Sequence, residues 1–512
     1  MNILSIDCGT QSLRTIIFSS DGEMLAKVKI EYDPPYYSKD VDYAEQDPYF
    51  YWNTLCKATT QLSEMVPELF SSIIGVTLTT QRATTVVLDK HGEPVRNAIL
   101  WLDQRLAQGK PNFTWLENLG FAIIGMKDAA EKAWRRSTAN YMRQHEPELW
   151  SKVDKYLLLS GFLTYKLTDH FVDSVASQVG YIPFDYKHNT WFENPKHYKW
   201  RMFGIEREKL PDLVKPTELL GYITKEAAAQ TKLREGLPLI AAGADKMCET
   251  LAIGCFSPDV GSISLGTTAT IETTFEKYIE ILPFMPPYPS IVPDRYNPEV
   301  EIFRGYWLIS WFMNELAEHE VIEAREMGIP AEDLLDRRLQ NIPAGAEGLI
   351  VHPTWTPGLD KAFSRGAIIG FSDKHTRIHI YRALIEGINF GLIEGKELIE
   401  KKTKVQMKKI GISGGGAVSD EICQITSNMF GVPVYRVQTS ETSSLGAAIA
   451  GCIGLKEYPD VETAVKSMVH ISKQFVPDLN EHSTYKKIYT DIYKELWQTM
   501  KPLYYKISKL KL

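Results

Sequence analysis

The sequence predicts an α/β protein of two related lobes, with one nucleotide held between them. Three observations carry this reading. First, Ile3-Leu4-Ser5-Ile6, then Asp7-Cys8-Gly9-Thr10-Gln11-Ser12, then Thr15-Ile16-Ile17-Phe18 reads as strand, acidic-glycine turn, strand. Such a turn offers backbone N–H groups and small hydroxyls to phosphates, and its carboxylate can hold a metal or the metal's waters. Second, about 250 residues later Gly261-Ser262-Ile263-Ser264-Leu265, Gly266-Thr267-Thr268 and Ala269-Thr270-Ile271-Glu272 repeat strand, turn, strand. Third, segments with strand and helix spacing alternate in both halves. Either turn alone is more often a plain hairpin connection; the repetition is what points to an internal duplication.

Taken in order, the first lobe spans residues 1–250. After the opening hairpin come the turn Ser20-Asp21-Gly22 and a third strand over 24–30. A helix-spaced apolar pattern follows over 52–66, then a short strand over 73–78 and another at Val86-Val87-Leu88. Ile99-Leu100-Trp101-Leu102-Asp103-Gln104-Arg105 reads as a strand with polar residues at its end. A mostly helical stretch covers 130–170, and Leu239-Ile240-Ala241-Ala242 forms a buried strand ending in Gly243-Ala244-Asp245-Lys246. The second lobe spans 251–512. Its proline- and tyrosine-rich segment 281–298 reads as a surface loop, with helices over 306–325 and 376–402. Gly414-Gly415-Gly416-Ala417 is a third glycine turn, leading into a helical pattern through Ile422, Ile425 and Met429. Tyr485, Ile488, Tyr489, Ile492 and Leu496 sit at helical spacing, a stripe for packing or for a partner helix.

Bulk properties exclude several classes. The 512 residues are 44% hydrophobic and 24% charged, with a formal net charge of −7 and no long basic run, so nucleic acid is not expected as a partner. The six cysteines are scattered without a Cys-x-x-Cys pair, which fits free thiols in the cytoplasm rather than disulfides or a zinc site. No apolar run is long enough for a membrane span, and the N-terminal strand, broken by Asp7, is no signal peptide. There is no Gly-x4-Gly-Lys-Ser/Thr loop, no protein-kinase motif set and no nucleophile elbow.

Asp245 is the principal candidate for chemistry. It stands where a buried strand gives way to a helical pattern, a place where Asp serves either as an N-cap or as a general base for a substrate hydroxyl. Phosphoryl transfer asks for little more than one positioned carboxylate, a metal and donors around the phosphates. The neighbouring phosphate-type turns favour the base.

The chain resembles the FGGY carbohydrate kinases, of the actin, Hsp70 and hexokinase superfamily. The resemblance rests on Asp7-Cys8-Gly9-Thr10-Gln11-Ser12, Ala44-Glu45-Gln46-Asp47-Pro48, Thr80-Gln81-Arg82, Trp101-Leu102-Asp103-Gln104-Arg105, Gly243-Ala244-Asp245, Leu265-Gly266-Thr267-Thr268, Gly414-Gly415-Gly416-Ala417 and Ser443-Ser444-Leu445-Gly446-Ala447-Ala448, in the family's order. It implies two ribonuclease-H-like (actin-like) lobes with an interlobe cleft, and transfer of a phosphoryl group from ATP, with Mg²⁺, to a sugar, polyol or sugar acid. By position it implies Asp245 as the catalytic base and Asp7 and Asp245 as the carboxylates near the metal. Asp7, Gly9, Thr10, Ser12 and Arg14 would serve the first phosphate turn and Gly266 and Thr267 the second. Gly415, Gly416, Ala417 and Asp420 would lie at the adenosine end. Gln81, Arg82, Trp101, Asp103 and Lys246 would line the acceptor pocket. The partner expected is a small molecule, with no membrane; a homodimer is left open.

The chain also departs from the family's familiar members. Glycerol kinases have Gln-Arg-Glu-Thr where this chain has Gln81-Arg82-Ala83-Thr84, so an acceptor of hydroxyl hydrogen bonds is missing. Xylulokinases have Gln-Met-His there. Glycerol kinases have Gln where this chain has Lys246, which would pair with an acidic or oxygen-rich substrate or else be an ordinary ion-paired lysine. Trp101 suits the apolar face of a sugar, or simple packing. An uncharacterised subgroup is implied. The alternatives are an actin- or Hsp70-like ATPase or a regulatory pseudokinase, against which the polar set Gln81, Arg82, Asp103, Arg105 and Asp245 argues.

Overall fold

The computed structural model describes residues 1–282, 285–358, 361 and 363–510. Two six-stranded sheets organise it. The first comprises β1 (Asn2–Cys8), β2 (Ser12–Ser19), β3 (Met24–Glu31), β4 (Ile73–Thr80), β5 (Leu219–Tyr222) and β6 (Pro238–Ala241), in the order β3-β2-β1-β4-β6-β5. The second comprises β7 (Val260–Leu265), β8 (Ala269–Glu272), β9 (Glu299–Ile302), β10 (Lys409–Ser413), β11 (Val434–Val437) and β12 (Ile471–Phe475), in the order β9-β8-β7-β10-β11-β12. In each, an antiparallel hairpin feeds a strand parallel to a later crossover strand. The duplication expected from the two turns is therefore a duplication of sheet topology.

Helix α1 (Pro48–Met65) packs on β2 and β3; Asp47 caps it by accepting from the Tyr49 N–H at 2.9 Å, with proline at its first position. Between the two sheets lie α2 (Asp245–Ala252) and α5 (Thr442–Gly454), with α3 (Arg377–Thr403) and α4 (Asp420–Phe430) on the second sheet alone. The small-residue run in Ser443-Ser444-Leu445-Gly446-Ala447-Ala448 has a steric reason. A Cβ on Gly446 would fall 1.9 Å from the Cys248 carbonyl oxygen, so only glycine lets α5 approach α2 this closely. Leu445 and Ile449 are fully buried there, each contributing about 1.5–3 kcal/mol by leaving water.

Four expectations need correction. The strand expected through Trp101 stops at Ile99; beyond it the chain turns, with the Asp103 N–H donating to the Leu100 carbonyl at 3.0 Å and the Asp103 carboxylate accepting from the Ala44 N–H at 2.9 Å and from the Arg105 N–H at 3.0 Å. The helical stretch 130–170 is interrupted by a strand, Lys155–Leu158, recruited by antiparallel pairing with Thr85–Leu88. Segment 281–298, two of whose residues (283–284) lie outside the described residues, is not a surface loop throughout. Its prolines keep it irregular, but Ile291 and Val292 are buried in the core between the sheets. In the C-terminal stripe Tyr485, Tyr489 and Leu496 are buried but Ile492 is not; a π-turn at Tyr489–Tyr493 adds a residue and puts Tyr493 inward instead. Among the described residues no helix is long and apolar enough to cross a membrane.

Candidate active site

The two glycine turns lie at the ends of β1 and β7. Register places Asp7 beside Arg14 on β2 and beside Thr79 on β4. The turn itself is tight, with the Gly9 N–H donating to the Ser12 carbonyl at 3.1 Å and Ser12 buried. Arg14 is not free for phosphate: its guanidinium sits 3.3 Å from Asp7 and 3.0 Å from Glu441 at the start of α5. Burial pushes the Asp7 carboxyl up to about 7 against the pull of Arg14, and the Asp245 and Glu441 carboxylates add to the rise.

Asp245 is the first residue of α2, with Ala244 in the capping position, so it is not the N-cap. The preceding loop is pinned from two sides, by the Thr79 hydroxyl on the Gly243 carbonyl at 2.9 Å and by the Ala244 N–H on the Ala176 carbonyl at 3.1 Å. One Asp245 oxygen accepts from the Lys246 N–H at 2.8 Å. The other makes no hydrogen bond among the described residues. Burial raises this carboxyl above its ordinary range, with Arg82 and Lys246 pulling the other way. A buried Asp7 carboxylate whose pKa is raised in part by the charge of Asp245 fits a cation between the two. Mg²⁺ commonly takes one or two carboxylates and fills its other positions with phosphate oxygens and water, and no cluster of three His, Cys, Asp or Glu ligands exists among the described residues.

On the first-lobe side, Thr10, Gln81 and Trp101 form one unit. The Thr10 hydroxyl donates to the Gln81 side-chain carbonyl at 2.8 Å and accepts from the Trp101 indole N–H at 3.0 Å. Trp101 is 40% exposed, so its ring faces open space rather than core. Ala83 is half-buried with φ 54°, opposite Gly180.

Other expected acceptor residues have their charges matched within the protein. Asp103 is bound to Arg105 and the Ala44 N–H and shapes the Trp101 loop instead of facing it. Lys246 is the ion-paired lysine of the two alternatives: its ammonium meets Glu249 at 2.7 Å and the Ser264 hydroxyl of β7, while Glu249 also accepts from Ser413 of β10. Its charge is thus matched within the protein. Arg82 crosses the cleft to Glu299 of β9, at 2.9 and 3.4 Å, and lies over the Tyr288 ring.

On the second-lobe side, the Gly266 and Thr267 carbonyls accept from Tyr306 and Trp307, which leaves the exposed Thr267 hydroxyl without a hydrogen bond among the described residues. Gly414, at φ 86°, lies so close to Leu265 that a Cβ would meet its backbone at 2.8 Å; Gly415 beyond it faces open space. Asp420 is paired with Arg436 and Lys473. Arg436 in turn donates to the carbonyls of Ala417 and Val418, so Asp420 braces the Gly415-Gly416-Ala417 turn. Glu299, Tyr288 and Glu441 were missed in the sequence. The signal for Glu299 is the alternation Glu299-Val300-Glu301-Ile302, a charged face on a strand near the cleft.

The model of the FGGY family of carbohydrate kinases matches the chain in two parts, its N-terminal domain over residues 2–252 and its C-terminal domain over 261–455. A xylulose kinase of Lactococcus lactis is 28% identical over 505 residues, covering 97% of this chain and 96% of the relative. A gluconokinase of Bacillus subtilis is 23% identical over 525 residues, covering 99% and 96%. Among solved structures, the xylulose kinase from Rhodospirillum rubrum superposes with a TM-score of 0.84 at 22% identity, over 99% of this chain and all of that one.

Proposed function

The chain belongs to the FGGY family of carbohydrate kinases and phosphorylates a hydroxyl of a small sugar, polyol or sugar acid from ATP with Mg²⁺; within that activity we propose that Asp245 is the general base. The proposed acceptor pocket is bounded by Asp245, Gln81, Trp101 and Ala83. Residues 1–250 then carry the acceptor site and the base, and 251–512 the ATP site, with Thr267 and the Gly415–Gly416 turn against the nucleotide. An actin- or Hsp70-like ATPase without an acceptor is not favoured, since the relatives named above are sugar kinases. The proposed setting is the cytoplasm, in keeping with six free cysteines.

The observation that carries the base assignment is the single uncommitted oxygen of Asp245, on a carboxylate fixed at a strand end within electrostatic reach of Asp7. The acceptor O–H proton passes to that oxygen as the acceptor oxygen bonds to the γ-phosphorus. The bond from that phosphorus to the bridging oxygen breaks, and ADP leaves. When bound, Mg²⁺ neutralises phosphate charge, and Asp7 and Asp245 are the residues that would hold it or its waters. Burial of Asp245 keeps its pKa high, which strengthens it as a base and places the acid limb of kcat/KM above the ordinary aspartate range. The test is Asp245→Asn, which keeps size but cannot take the proton. ATP affinity should be retained and turnover nearly lost; turnover close to the parent's would sink the assignment.

A further inference from the structure

The acceptor class left open by the family, neutral sugar or sugar acid, is decided by what surrounds the pocket's cations. A site that binds a substrate carboxylate offers it a cation with unmet charge, most effectively a bidentate arginine. Around this pocket the cations are already matched. Arg82 is held bidentately by Glu299, Lys246 by Glu249, Arg105 by Asp103 and Glu45, and Arg14 by Asp7 and Glu441.

Beyond those pairs stand further carboxyl groups rather than free cations. Glu272, Glu299 and Glu301 stand on the neighbouring strands β8 and β9, within electrostatic reach of Arg82. Glu272 is 1% exposed and Glu299 7%. Burial first, and then the Glu299 charge, push the Glu301 carboxyl up to about 7 and raise the Glu272 carboxyl well above its ordinary range. Neither group adds a cation that a substrate carboxylate could pair with. Arg136, which makes no ion pair among the described residues, lies within electrostatic reach of Tyr181, as does Glu301.

We propose that the acceptor is a neutral polyhydroxylated sugar or polyol and that Glu299, reaching from the second lobe, sets this preference by neutralising Arg82. The inference rests on the acceptor pocket proposed above. Arg82 then presents a fixed, charge-compensated N–H fork, and a carboxylate entering beside it meets Glu299 and Glu301 without an unmatched partner. Because Glu299 lies on the lobe assigned to ATP, the acceptor pocket is complete only with the lobes together.

The experiment measures acceptor-dependent ADP release, as kcat/KM, over ketoses and polyols of five and six carbons and aldonates of matching length. The best neutral acceptor should exceed the best aldonate by about 100-fold, the scale of one buried polar group left without its partner. Glu299→Gln frees the Arg82 charge and should raise the aldonate-to-neutral ratio about 10-fold, while Glu299→Asp, which keeps the charge, should not. An aldonate as the best substrate, with Arg136→Ala abolishing its use, would overturn the inference and leave the kinase reading intact. An unchanged ratio in Glu299→Gln would overturn the role of Glu299; should that variant not fold, the ranking of the parent enzyme and the Asp variant still decide. ADP release with none of the panel would overturn the pocket itself.

Discussion

The two glycine turns share a topology but differ in how their polar groups are used. In the first, nearly every group is spoken for: Thr10 by Gln81 and Trp101, Arg14 by Asp7 and Glu441, the Gly9 N–H by Ser12. In the second, backbone carbonyls are tied to Tyr306 and Trp307, yet the Thr267 hydroxyl makes no hydrogen bond among the described residues. A duplicated motif has thus diverged by wiring rather than by shape. The first turn is joined by hydrogen bonds to residues of the proposed acceptor pocket, while the second is left, on this proposal, to meet the nucleotide. Pre-bonded groups lose little entropy on binding and fix orientation, whereas open hydroxyls contribute affinity as they form new bonds.

Substitutions can break this contrast. The largest effect belongs to Asp245→Asn, with a fall in kcat on the order of 10²–10⁴ and little change in nucleotide binding, read by steady-state kinetics and calorimetry. Next come Thr10→Val and Thr267→Val. Losing the Thr10 hydroxyl unpairs Gln81 and Trp101 and should raise the acceptor KM about 10-fold, the scale of one lost hydrogen bond in a buried site, with the ATP KM nearly constant. Thr267→Val should do the reverse. If both variants moved the same constant, the division of roles would fail.

Asp7 gives a pH test. Its folded pKa of about 7 lies above the ordinary 3.8, so between those values the folded state keeps a proton that the unfolded state has released. Stability of the ligand-free protein should therefore decline as pH rises from about 4 to about 7, and Asp7→Asn should flatten that slope in denaturant titrations. Binding of Mg²⁺-ATP near pH 7 should release a proton, visible as a buffer-dependent heat. No such release would mean that the cation binds away from Asp7. The smallest effect is that of Ala83→Glu, which supplies a carboxylate facing the pocket where the backbone already tolerates a side chain. Glycerol should gain a few-fold relative to the native acceptor, about what one added hydrogen bond gives; an unchanged ratio would place residue 83 outside the pocket.

The sequence by itself determined the local frame. Strand-turn-strand at both Asp7 and Gly266, the capped start of α1 at Asp47-Pro48, the buried strand before Asp245 and the small-residue run of α5 are all written in neighbouring residues, because backbone periodicity, capping and turn chemistry act over a few positions. Only the tertiary structure decided what the charges do. Arg82 meets a carboxylate 217 residues away, Lys246 pairs with Glu249 and Ser264, Asp103 is spent on Arg105 and the Ala44 N–H, and Asp420 is paired with Arg436 and Lys473. Likewise Ile291 is buried despite its proline-rich surroundings, and a single π-turn exchanges Ile492 for Tyr493. The physical reason is common to all of these. A strand or turn is specified by its own residues, but whether a charge is free or neutralised, and whether a side chain is wet or buried, depends on groups brought beside it by the folding of distant segments.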